Sequence, residues 1–78
     1  MKVRVLVTLK PGVLDSQGRA IHHALRELGY GLVREVSTGK LLVLDIDTND
    51  PERARALARE ACDKLLANPV IERYELES

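Results

Sequence analysis

The run Leu41-Leu42-Val43-Leu44, followed after Asp45 by Ile46, does most to narrow the choice of fold. Consecutive rather than alternating aliphatic residues in so short a segment mark a strand whose two faces both ask for cover. Other segments supply the rest of a sheet. Val3, Val5, Val7 and Leu9 alternate with Lys2, Arg4, Leu6 and Thr8, the period of two of a strand with one strongly apolar face. Lys10-Pro11-Gly12 ends that strand, because proline removes a ladder donor and glycine permits a turn. Residues 32–36 read as a second, more polar strand nearer an edge. Ser37-Thr38-Gly39 reads as the turn of a hairpin leading through Lys40 into the apolar strand, residues 41–46. Residues 70–77, with Tyr74 and Leu76 on one face, read as a fourth.

Two helices separate these strands. Asp15 or Ser16 can cap the first by accepting from the free amides of its opening turn. Ile21, Ala24, Leu25 and Leu28 fall at i, i+3, i+4 and i+7, one amphipathic stripe, and Gly29 suits the position where a helix ends with positive φ. Gly18, a poor helix former in the first turn, invites the close approach of another backbone or a ligand. Asp50-Pro51 starts the second helix as N-cap and N1. Ala54, Leu57, Ala58, Ala61 and Leu65 form its stripe, Glu60 and Lys64 are spaced for an i,i+4 pair, and Asn68-Pro69 stops it.

The order βαββαβ with short connections predicts an α+β, ferredoxin-like two-layer sandwich filling residues 1–78 as one domain. Its antiparallel sheet has four strands, with both helices on one face. Two helices cover one face only, yet Leu6 and one set of residues in the apolar strand point to the other. That second face predicts oligomerisation, most simply with a second copy. The length agrees: a 78-residue domain buries only about 60% of the surface of its unfolded chain, a marginal core.

Composition removes several function classes. Twelve basic and twelve acidic side chains leave no net charge, and the only aromatic residues are Tyr30 and Tyr74. A nucleic-acid binder needs a basic face, or bases stacked on aromatic rings, and neither is provided. No segment has the roughly 18 apolar residues of a membrane helix, and the alternating, charged Met1 to Val5 is unlike a signal peptide, so a cytoplasmic protein is expected. Cys62 is the only cysteine and sits late in a helix, where the dipole opposes a thiolate; it reads as a small buried hydrophobe.

Few residues suggest chemistry. His22 and His23 are adjacent and splay about 100° apart on a helix, so they cannot clamp one metal. Gly39-Lys40 resembles the end of a phosphate-binding loop, but Arg34 stands where the first glycine belongs, and Leu41 where a hydroxyl belongs. Asp45 and Asp47, with Asp50 near, could hold Mg²⁺ or exchange protons, but Asp50 is accounted for as a cap and the others as a polar strand end.

Val5-Leu6-Val7-Thr8-Leu9-Lys10-Pro11-Gly12-Val13-Leu14-Asp15-Ser16-Gln17-Gly18, then Ala20, Ala24-Leu25, Leu28-Gly29, Gly39-Lys40, Cys62, Lys64 to Leu66, and Asn68-Pro69-Val70-Ile71-Glu72 with Tyr74, closely resemble the PurS family along the whole chain. Ser16 departs from the family's usual proline, and serine serves a helix start equally. The resemblance implies a non-catalytic small subunit of phosphoribosylformylglycinamidine synthase. It would bridge a large ATP-dependent synthetase and a glutaminase, and help ammonia pass between them. It further implies a dimer or a dimer of dimers, no cofactor in this chain, and ATP with Mg in the synthetase. Lys10, Asp15, Gln17 and Gly18, with Gly39 and Lys40 at the hairpin, are the candidate partner contacts. The rival reading is an amino-acid-sensing homodimer similar to ACT domains, which share the element order.

Overall fold

The computed structural model describes residues 1–77. Elements run β1 (Lys2–Leu9), α1 (Ser16–Glu27), β2 (Gly39–Asp45), α2 (Pro51–Ala61), a π-helical turn (Cys62–Leu66) and β3 (Glu72–Glu77). β1 lies at the centre of an antiparallel sheet ordered β2-β1-β3. Its alternation works as read from the sequence: Val3, Val5 and Val7 are buried, and register places Leu44, Leu42, Leu76 and Tyr74 beside them on the same face. α2 packs over β1 and β3 through Ala54, Ala58 and Cys62. These three small residues at i, i+4 and i+8 let the helix approach the sheet closely. Leu57 and Leu65 of the expected stripe are instead exposed.

The expected four-stranded sheet has three strands among the described residues, and residues 32–36 are not a strand. The cause lies at the end of α1. Gly29, at φ +96°, donates to the Arg26 carbonyl, and Tyr30 donates to that of Leu25. This closure reverses the chain along its own helix. There the Val33 carbonyl meets His22 Nε2 at 2.8 Å, and Leu32 is 98% exposed. Residues 29–38 thus belong to α1, not to the sheet, and the outer edge of β2 stays open.

The expectation of both helices on one face also fails within the chain. α2 covers the β1–β3 side, whereas α1 makes no more than marginal contact with any strand. α1 and residues 29–38 form an arm, and the molecule measures 48 × 24 × 13 Å. The opposite sheet face stays open, with Leu41 and Val43 about half exposed. The last strand begins at Glu72 rather than 70, because the Asn68 side chain accepts from Val70 N–H and its carbonyl from Ile71 and Glu72, folding those residues into a turn.

Candidate functional site

The candidate contact residues gather at one end of the sheet, where β1 finishes and β2 and β3 begin. Lys10-Pro11-Gly12-Val13 is a β-turn closed by Val13 N–H to the Lys10 carbonyl at 3.2 Å. Pro11 sits at its second position and Gly12, at φ +87°, at its third, the chemistry of a type II turn. Lys10 is paired on both sides: its backbone N–H donates to the Ile71 carbonyl at 2.8 Å, and its Nζ to the Pro69 carbonyl.

Of the two caps the sequence offered, Asp15 is the N-cap of α1 and Ser16 its first helical residue, and Asp15 does more than cap. One carboxylate oxygen accepts from Gly18 N–H at 2.9 Å and from the Thr38 hydroxyl at 2.8 Å; the other accepts from Thr38 N–H at 2.7 Å. The Thr38 amide most of all, then the Gly18 amide and the Thr38 hydroxyl, hold the Asp15 carboxyl below the usual carboxylate range. Gly18 is buried in α1, and a β-carbon there would collide with the Val36 carbonyl oxygen. The close approach its glycine suggested is therefore made by this chain's own backbone. Asp15 and Gly18 together fasten the two limbs of the arm.

Gly39 opens β2 opposite Thr8 and is not a turn residue. A β-carbon at Gly39 would come within 2.8 Å of the Val7 carbonyl oxygen, so glycine there admits the β1 backbone. Lys40 reaches across β1 to Glu72, Nζ to Oε2 3.7 Å, while Glu72 Oε1 accepts from Asn68 N–H at 2.8 Å. Gln17, Lys40 and Glu72 border a recess of about 180 Å³. A larger cleft of about 530 Å³ lies between the Lys10–Asp15 loop and residues 35–38, with Arg19, His22 and Arg73 on its walls. Thr38 and Glu72 are the residues that sequence reading missed. Thr38 offered only a hydroxyl beside a glycine, and Glu72 acquires its partner through strand register, which no local spacing displays.

Chemically, this end of the molecule offers shape and hydrogen bonds. Asp15 is committed to three donors and is ionised at neutral pH. Cys62 lies elsewhere, fully buried behind β1, where desolvation first and the Asp63 charge second push its thiol up, away from the reactive thiolate. His22 and His23 turn to different partners, His23 to Glu27 at 3.7 Å. Among the described residues, no three His, Cys, Asp or Glu side chains are grouped to hold a metal ion, and no helix is long and apolar enough to cross a membrane.

Comparison with known proteins returns one family. The family description PurS, phosphoribosylformylglycinamidine (FGAM) synthase, matches residues 2–78. The chain is 49% identical over 78 aligned positions to phosphoribosylformylglycinamidine synthase subunit PurS of Bacillus subtilis, covering 97% of this chain and 92% of that protein. Its fold superposes with a TM-score of 0.88 on the crystal structure of Methanocaldococcus jannaschii PurS, a subunit of formylglycinamide ribonucleotide amidotransferase in purine biosynthesis. That pair is 42% identical, with 97% of this chain and 92% of the other covered. It superposes equally well, TM-score 0.88, on a chain in the structure of PurLQS from Thermotoga maritima, at 33% identity and with 97% and 93% covered.

Proposed function

This chain belongs to the PurS family, and from that premise we propose that it is the non-catalytic small subunit of phosphoribosylformylglycinamidine synthase in purine biosynthesis. It bridges the ATP-dependent synthetase and the glutaminase and supports the passage of ammonia from one to the other. The observation that carries this reading is the match along the whole chain, in sequence and in fold, to subunits of that enzyme, one of them in the PurLQS structure. The amino-acid-sensor alternative draws no support from these comparisons.

The geometry agrees with a scaffold. Residues that carry the resemblance shape one end of the molecule: Asp15 and Gly18, together with Thr38, fasten the arm, while Lys10 and Lys40 secure the loop before β3. The exposed part of that end, Gln17 above all, is the surface offered to the other subunits. ATP and Mg²⁺ belong to the synthetase, the glutamine-cleaving nucleophile to the glutaminase, and self-association and a cytoplasmic location complete the reading.

Reconstitution tests it. Synthetase and glutaminase are assayed for glutamine-dependent amidation of formylglycinamide ribonucleotide with and without this chain. Activity that depends on the chain supports the bridging role; full activity in its absence overturns it. Gln17→Ala is expected to lower that activity several-fold at unchanged melting temperature. A Gln17→Ala chain as active as the wild type removes this end from the interface.

A further inference from the structure

We infer that the cleft between the Lys10–Asp15 loop and residues 35–38 is a binding site for a small phosphomonoester, its phosphate held by the guanidinium groups of Arg19 and Arg73. The site is additional to the nucleotide and glutamine sites assigned to the other subunits, and it stands whether or not this chain bridges them.

The cleft has the size of a ligand site and is bounded by elements remote in sequence. Its volume of about 530 Å³ falls within the roughly 300–1,000 Å³ usual for small-molecule pockets. α1 contributes Arg19, the end of β1 and the loop after it Leu9, Val13 and Leu14, β3 Arg73, and the returning limb of the arm Val36. Because α1 makes no more than marginal contact with any strand, a molecule held by both arginines would touch the arm on one side and the sheet on the other.

Charge decides what the cleft can take. Six ionisable side chains line it: Lys10, Asp15, Arg19, His22, Glu35 and Arg73. Three of them are occupied within the chain. Lys10 Nζ donates to the Pro69 carbonyl and His22 Nε2 to that of Val33, while the Asp15 carboxylate, which would otherwise repel an anion, accepts from Gly18 and Thr38. The arginines are freer. Arg73 uses only Nε, in a long 3.4 Å bond to the Thr8 hydroxyl, and the Arg19 guanidinium has no partner among the described residues. Two guanidinium forks on separate elements suit an anion that can accept from more than one side. A phosphomonoester, with three terminal oxygens and close to two negative charges at neutral pH, can meet both forks, whereas a single carboxylate fills one. Val13, Leu14 and Val36 give the organic part an apolar wall. Glu35 is the remaining carboxylate, unpaired among the described residues, and its charge works against the anion.

Titration of the full, isotope-labelled chain with phenyl phosphate and with inorganic phosphate, followed by NMR at low and constant ionic strength, tests the proposal. Saturable shifts are expected at residues 8–19, 35–38 and 73, with a dissociation constant of about 1 mM or tighter for phenyl phosphate and several-fold weaker for inorganic phosphate. Arg19→Gln and Arg73→Gln, both at exposed side chains, should each weaken phenyl phosphate about 10-fold. Glu35→Gln should tighten it about 2- to 3-fold, and it decides the matter if the spectrum of either arginine variant shows a loss of fold. Shifts that fail to saturate, or that scatter over the molecule, overturn the proposal. So does binding that neither arginine variant weakens, or a Glu35→Gln chain that binds no more tightly than the wild type. Benzoate or succinate bound as tightly as phenyl phosphate overturns the choice of phosphate over carboxylate. Because the readout uses this chain alone, its failure and failure of the amidation assay are separate results.

Discussion

Asp15 concentrates in one side chain the capping of a helix and the fastening of a distant segment. Its first duty was legible, because a carboxylate directly before an amphipathic stripe faces the free amides of the opening turn. The second was not, because Thr38 lies 23 residues on and nothing local pairs them. The linkage has a definite sign. The folded carboxyl titrates below its ordinary value of 3.8, so its contribution is complete above that value and is lost as pH falls through the folded one. Stabilities of the wild type and Asp15→Asn, measured by denaturant unfolding, should therefore differ at neutral pH and converge in acid below about pH 4. A difference that persists unchanged at the acid end would show that the charge is not what fastens the arm. Gly18 carries a sharper expectation. Alanine is the better helix former and would help if the site were open, but its β-carbon meets the Val36 carbonyl. Gly18→Ala should destabilise by about 1–3 kcal/mol, and a stabilised variant would contradict the close approach.

Among the elements, those governed by local signals were readable and those governed by competition were not. β1 declared itself by alternation, α1 and α2 by their caps, and the Asn68-Pro69 stop by its proline. Residues 32–36 have a strand's composition, but the glycine closure of α1 delivers them to the helix before the edge of β2 can recruit them. α2 kept its helical period while its buried line moved to Ala54, Ala58 and Cys62, since close approach to the Val3–Val5–Val7 ridge favours small residues over leucine. Gly29 is the hinge of the arm. Replacing it with alanine at φ +96° should cost about 1–2 kcal/mol. Hydrogen exchange should show protection lost in residues 25–38, with the amides of β1 unaffected; uniform loss throughout would mean that the arm and sheet unfold together.

For the whole molecule, the fold class and the uncovered apolar surface were foreseeable, because the apolar positions outnumber what two helices on one face can hide. How they are left uncovered was not, since an extended arm and a closed sandwich share one pattern of hydrophobic residues. The core that each chain builds alone is small. Its largest fully buried side chains are Val5, Val7 and Cys62, so the self-association proposed for it should supply much of its stability. A tenfold rise in chain concentration adds about 1.4 kcal/mol per dimer, and the melting midpoint should climb by roughly 3–5 °C. A midpoint independent of concentration would mean that each chain is stable by itself. The two halves can also be told apart by light. Tyr30 stands exposed on the arm, Tyr74 donates to Asp63 at 2.9 Å within the body, and the chain has no Trp and no Phe. Its near-ultraviolet absorption and emission are therefore divided between one phenol in each half, and any event confined to the arm will change one signal and spare the other.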